Sequence, residues 1–244
     1  MAAIKNYVLS LERSRAALLH KERPRTFAMA GAEWDLLDGV FAPPFSASTG
    51  AAMELLGLTG PDPALWRGSF LEVGCGTGII AVSAARAGCD RVTALDISAD
   101  AVRNAAMNAA RHHVADRVKA VHSDLFDGLV PGDRYDTVYW HSNFVLAPPE
   151  YRYLSVHEQA YVDPGYRAHR RYLAEAPSYV TPGGRALLHF SERGDLASLE
   201  AMAADCGRRL RVLRSRTVRE GAENVGHFLL EITDTATERR AAAR

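Results

Sequence analysis

Cysteine is scarce in this chain: Cys75, Cys89 and Cys206 are odd in number, widely spaced and never arranged as Cys-x-x-Cys. That argues against both a disulfide framework and a zinc site, and a reducing cytoplasm fits. No apolar run approaches the roughly 20 residues needed to cross a bilayer. Charges break the opening "MAAIKNYVLSLERSR" before a signal-like apolar core can form. A soluble, cytoplasmic chain with no membrane partner is expected. Net charge is lacking too, because 29 Lys and Arg balance 29 Asp and Glu. That removes the overall positive field with which proteins gather on polynucleotides or anionic membranes. A nucleic-acid partner is therefore not expected. Local bias remains, with Lys5, Arg13, Arg15, Lys21, Arg23 and Arg25 crowding the start and arginines crowding 208–219, patterns that usually mark solvated faces.

The chain does contain 244 residues at 48% hydrophobic composition, enough for one domain with a substantial core. Residues 4–22 place Ile4, Val8, Leu11, Leu18 and Leu19 at helical spacing until Pro24 interrupts, predicting a helical cap. "WDLLDGVFAPPFSASTGAAMELLGL" runs from a loop with Pro43 and Pro44 into a helix expected to be capped near Ser48 or Thr49. The linker "TGPDPALWRGS" offers the one boundary, dividing an N-terminal segment, 1–60, from a core, 61–234. The tail, 235–244, has nothing to bury and is expected to fray.

From residue 69 short apolar strands alternate with helical segments. The strands are 70–73, "RVTALDI", "VKAVHSD", "YDTVYWHS" and "RALLHFS", and a helix expected to start at Asp195 precedes "RLRVLRSRTV" and "HFLLEIT", a possible hairpin. The pattern predicts an α/β fold: a Rossmann-like, doubly wound, mostly parallel seven-stranded sheet with helices on both faces. Its first strand runs into "FLEVGCGTGII", where Gly74, Gly76 and Gly78 fall within five residues. Glycines between a strand and a helix let the backbone approach a ligand, and the helix start presents free amides, so a nucleotide-like cofactor is implied. The spacing is Gly-x-Gly-x-Gly rather than the dinucleotide Gly-x-Gly-x-x-Gly, whose third glycine would fall at Ile79, which weakens a redox reading.

With "EVGCGTG", Asp96 ending "VTALD" and Asp124 in "HSDLF", the chain resembles the class I S-adenosylmethionine-dependent methyltransferases over about residues 41–233. Taken singly, the glycines fit any tight turn and Asp96 could cap the helix after it. Together, at successive strand ends where open α/β sheets bind ligands, they form a specific set. The resemblance implies S-adenosyl-L-methionine as cofactor, S-adenosyl-L-homocysteine as product, and a cofactor site of Glu72, Gly74, Gly76, Gly78, Asp96, Ile97, Asp124 and Leu125, completed by Asn143 and the N-terminal segment. In that family the residue at Asp96 accepts hydrogen bonds from ribose hydroxyls. The residue at Asp124 lies by the adenine amino group, with Leu125 against the ring.

"YWHSNFVLAPP" ends the fourth strand, where the acceptor should be held. Here the chain is similar to the release-factor glutamine N-methyltransferases, which also share "SDLFDGL" and a Pro-containing loop like "FAPPFSAST". That group carries Asn-Pro-Pro-Tyr, whose Asn and next carbonyl accept hydrogen bonds from the target nitrogen. This chain keeps Asn143, but Phe144 and Val145 replace both prolines. The implied activity is methyl transfer to a nitrogen or oxygen on a small molecule or peptide, with Asn143 on the acceptor side and a changed substrate. A tRNA or rRNA base methyltransferase, a nicotinamide oxidoreductase and a non-catalytic cofactor binder are the alternatives. His141 either accepts a proton, its intrinsic pKa being near 6.5, or packs against the sheet. His112, His113 and His122 lack ligand partners at metal spacing, so no metal is expected. The long connection after Asn143 carries Tyr151, Tyr153, Tyr161, Tyr166, Tyr172 and Tyr179. A helix is expected over 166–176, and 147–163 is the part expected to touch substrate.

Overall fold

The computed structural model describes residues 6–59 and 67–235. The expected helix start at Ile4, the boundary near residue 60 and the tail beyond Thr235 lie outside the described residues. Helix α1, Tyr7–Leu19, is capped by Asn6, whose side chain accepts the Val8 N–H at 2.9 Å. The residue pattern before 60 predicts only helices, but the chain next forms a hairpin, β1 Thr26–Met29 and β2 Ala32–Asp35. Its turn puts Ala30 and Gly31 at φ 53° and 70°. Tight hairpin turns of this hand usually announce themselves as Asn-Gly, and "Ala-Gly" carries no such signal. Helix α2, Ser48–Leu55, has Ala47 at its N-cap without a side-chain cap, so Ser48 is the first helical residue rather than the cap.

The remaining elements are β3 Ser69–Val73, α3 Ile79–Arg86, β4 Arg91–Asp96, α4 Ala99–Arg111, β5 Val118–His122, β6 Tyr135–His141, β7 Val145–Ala147, β8 Val162–Pro164, α5 Arg167–Glu175, β9 Val180–Ser191, α6 Leu196–Asp205, β10 Arg208–Glu220 and β11 Glu223–Asp234. Seven strands form the expected sheet in the order β10-β11-β9-β6-β3-β4-β5. The five from β5 to β9 run parallel, while β11 is antiparallel to both β9 and β10. Asp195 does cap α6, accepting the Ser198 N–H at 3.1 Å.

Strand alternation sends neighbouring side chains to opposite faces and so builds two cores. Phe70 and Tyr139 join Ile80, Ala105, Met53 and Trp34 on one face. Leu71 and Trp140 join Tyr172, Leu173 and Phe190 on the other. A small third cluster sets Leu11 of α1 against Val145, Ala147 and Val162, so α1 lies over the short β7–β8 pair. Asn104 and Asn108 of α4, both fully buried, bind the hairpin to the core. Their Oδ1 atoms accept the N–H groups of Leu37 and Asp35 at 2.9 and 2.7 Å, and Asn108 Nδ2 also reaches Thr77 O at 2.8 Å. The sheet order reverses between β3 and β6, which opens the crevice beyond the strand C-termini where ligands of such folds sit. No described helix is long and apolar enough to cross a membrane.

Candidate active site

The turn after β3 holds Gly74, Gly76 and Gly78 at φ 65°, 53° and 77°, all in the left-handed region. The three glycines do different things. A Cβ on Gly78 would stand 2.7 Å from the Cα and Cβ of Ala105, so this glycine lets α3 begin against α4, and it does not line the crevice. A Cβ on Gly76 would meet nothing within 4 Å, and this residue faces the crevice. Glu72 is buried, and its Oε2 accepts the Ala81 N–H at 2.8 Å, tying α3 to β3. Burial raises its pKa well above the usual carboxylate value, against the pull of that hydrogen bond.

Asp96 ends β4 beside the same turn. Its Oδ2 accepts the Gly76 N–H and its Oδ1 the Ser98 N–H, both at 2.8 Å. Burial raises its pKa while those two hydrogen bonds lower it. Each oxygen keeps a lone pair for a further donor. Ile97 follows on the crevice wall, its carbonyl 2.9 Å from His122 Nε2. Leu125 is buried at φ 48°, in a loop that the sequence reading left unexplained. Ser123 fixes it, donating to Leu125 O and accepting the Gly128 N–H, each at 2.8 Å. Asp124 is exposed at the crevice edge, with Arg171 3.3 Å away.

One continuous cavity brings together Glu72, Gly74, Gly76, Asp96, Ile97, Asp124, Leu125, His141 and Asn143. Val40, Phe41 and Thr49 of the N-terminal segment line it too, as do Tyr153, His157 and Tyr161, with the Phe41 and Tyr161 rings 5.4 Å apart. The stretch expected to touch substrate thus reaches the cavity. Tyr166 and Tyr172, by contrast, are core residues whose hydroxyls donate to Phe144 O and Leu187 O at 2.7 Å.

Asn143 is 8% exposed, and its Nδ2 donates to Gln159 O at 2.7 Å and Val162 O at 2.9 Å. Those two carbonyls fix which end of the amide is which, since a flipped side chain would oppose oxygen to oxygen. Its Oδ1 is buried without a partner. His141 is half-buried and packs on the rings of His189 and Phe144 at 4.5 and 5.7 Å. Burial, with His227 adding to it, brings its pKa down to about 3, far below the near-neutral value expected for a proton acceptor.

Two arrangements escaped the sequence. His157 Nδ1 lies 2.7 Å from Ser14 Oγ of α1, 143 positions away in the chain. Beneath His141, His189 Nε2 is 3.0 Å from His227 Nδ1, and His227 Nε2 is 3.0 Å from Glu220 Oε1, with Arg193 also paired to Glu220. Both depend on tertiary pairing, and only the alternation of buried polar residues in β9 and β11 hints at the second. Among the described residues no group of three or more His, Cys, Asp or Glu could hold a metal ion.

Residues 70–162 match the family described as "Methyltransferase domain". The chain is 32% identical over 123 residues to the ribosomal protein uL3 glutamine methyltransferase of Francisella tularensis, a match covering 48% of this chain and 39% of that protein. It is 26% identical over 209 residues to the release factor glutamine methyltransferase of Thermosynechococcus vestitus, covering 78% and 70%. The chain spans less than half the length of several curated relatives it matches. Among solved structures, the T. thermophilus 16S rRNA N2 G1207 methyltransferase in complex with AdoMet and guanosine aligns at TM-score 0.53 and 19% identity. That alignment covers 84% of this chain and 49% of that one.

Proposed function

We propose that residues 70–162, which match a methyltransferase domain, form the core of a class I enzyme, and that this chain transfers a methyl group from S-adenosyl-L-methionine to a neutral nitrogen on a peptide side chain or small molecule. The observation that carries the reading is Asn143 Oδ1, buried, unpartnered and on the wall of the cavity that the glycine turn opens into. An oxygen so placed accepts an N–H of the acceptor and turns that nitrogen toward the cofactor end. The residues present fit the cofactor. Open space lies where a Gly76 Cβ would be, Asp96 retains lone pairs for ribose hydroxyls, and Leu125 offers an apolar face for the adenine.

When bound, the cofactor supplies an electrophilic methyl on a sulfonium, so the protein's task is to position the nucleophile and exclude water. Asn143 orients the nitrogen, while His141, which lines the same cavity with its pKa brought down to about 3 by burial, packs the site rather than serving as the base, and the proton released passes to water. That both relatives are glutamine methyltransferases supports a peptide acceptor. Calorimetric titration with S-adenosylmethionine, S-adenosylhomocysteine and NADH is the first test, followed by a labelled-methyl screen over primary amides, amines, phenols and RNA. Binding of the first two ligands with transfer to a neutral nitrogen is the expected result. Binding of NADH alone would overturn the proposal.

A further inference from the structure

We propose that His157 is a second polar anchor for the methyl acceptor, donating from Nε2 to an acceptor atom beside the nitrogen that Asn143 holds. The site then selects a neutral group in which an N–H adjoins a carbonyl or ring nitrogen. This inference rests on the nitrogen-methylation reading above.

His157 is 6% exposed, lines the same cavity as Asn143, and its Nε2 is buried without a partner. An unmet buried polar atom costs about 1–3 kcal/mol. Described residues lining the cavity carry four such atoms, Thr77 Oγ1, Arg193 Nε, Nε2 here and Oδ1 on Asn143, and the last two lie on residues that the Asn143–Gln159 hydrogen bond ties together, marking a surface built to be completed by a ligand. Ser14 decides what His157 offers. The Ser14 hydroxyl is fully buried, and among the described residues its hydrogen-bond partner is His157 Nδ1, at 2.7 Å. Were Nδ1 protonated, the serine proton would be left without an acceptor. With Ser14 donating to Nδ1, both groups are satisfied and the proton of the neutral ring sits on Nε2. Burial keeps the ring neutral by lowering its pKa to about 4.

The pair is also held as a unit. Asn143 Nδ2 grips the carbonyls of Gln159 and Val162, the first of them within the short 3-10 turn, Val156–Ala160, that carries His157. Charge rules out the commonest alternative acceptor, a protonated amine. The cavity's carboxylates, Glu72, Asp96 and Asp124, all stand at the strand ends on the cofactor side. Glu158, next to His157, does not line the cavity: its Oε2 turns to the Tyr151 hydroxyl and the Leu154 N–H, both at 2.8 Å. An ammonium would lose its hydration at this end without gaining a counter-charge.

The test uses the full chain with labelled histidine, saturated with S-adenosylhomocysteine and observed by long-range nitrogen–proton NMR. His157 is expected as the Nε2–H tautomer. Propionamide should shift its resonances and the Asn143 side-chain amide, whereas propylamine and butanone should shift neither. His157→Phe should weaken propionamide about fivefold or more with unchanged S-adenosylhomocysteine affinity. His157→Gln, which keeps a donor, should restore part of the loss, and Ser14→Ala should mix the tautomers and weaken binding by less. A His157 found as Nδ1–H, an absence of propionamide binding, or binding indifferent to His157→Phe overturns the inference. Failure to bind S-adenosylhomocysteine at all would instead sink the methyltransferase reading beneath it.

Discussion

Gly78 and Ala105 leave no room for a methyl group between α3 and α4: a Cβ on Gly78 would lie 2.7 Å from the Ala105 Cα. At φ 77° an L side chain is strained as well. Gly78→Ala should therefore cost about 2–4 kcal/mol of stability, from left-handed backbone strain plus overpacking. Gly76→Ala meets no neighbour and should cost only about 1 kcal/mol, yet weaken S-adenosylhomocysteine because its methyl enters the cavity. Urea denaturation and calorimetry on the two variants separate the roles, and equal stability losses would show the distinction to be wrong.

Asp96 faces the cavity and also receives two backbone N–H groups. Asp96→Ala should reduce S-adenosylhomocysteine affinity by about 10- to 100-fold, the loss expected for charge-assisted hydrogen bonds. Some stability should go with it as the glycine turn loosens. Unaltered affinity by calorimetry would remove Asp96 from the ribose site.

Asn143→Ala should lower methyl transfer to the acceptor found in the screen by about 100-fold or more, with less than about a threefold change in S-adenosylhomocysteine affinity. Because Asn143 also ties down the Gln159 and Val162 carbonyls, Asn143→Asp is a useful companion. It keeps an oxygen at the site but opposes a carboxylate to both carbonyls, and should be the less stable of the two. Parallel loss of transfer and cofactor binding would make Asn143 structural.

The buried histidines set the acid limit of stability. Burial brings His157 and His227 down to about 4 and His141 to about 3. In the unfolded chain each titrates near 6.5, so as pH falls from about 6.5 toward 4 the unfolded state binds protons that the folded state refuses. Stability should be flat for these groups above about pH 7.5 and fall below 6.5, by at most about 1.4 kcal/mol per pH unit for each histidine. Urea midpoints measured at pH 7.5, 6 and 5 should descend in that order. A midpoint unchanged down to pH 5 would mean the rings protonate freely within the fold.

The core from residue 69 onward was legible because its signals are local. β3 reads as a buried strand from Phe70, Leu71 and Val73, because both faces of the sheet are covered, α4 and α6 begin at Ser98 and Asp195 caps, and the glycines stand where the chain must turn. The hairpin before it was not legible, since its four-residue strands are short and Ala30 occupies a left-handed position that usually belongs to Asn or Gly. The cavity wall was half legible. Asn143 stands at a strand end that pattern alone can find, but His157 acquires its meaning only from Ser14, which topology brings across from α1. Sequence spacing carries no trace of that meeting.

The outermost strand bears on how the molecule behaves in a crowd. Among the described residues, β10 has no neighbouring strand on one side of its thirteen-residue backbone, a template on which a second chain could add itself. A chain of zero formal net charge has no general repulsion to keep copies apart. What β10 carries instead is Arg209, Arg211, Arg214, Arg216 and Arg219, all exposed, and an irregularity in pairing between Val212 and Arg214. A second copy docking edge to edge would have to strip water from that row of guanidinium groups and match a distorted ladder. The arginines that read from sequence as a solvated face thus weigh against edge-to-edge pairing.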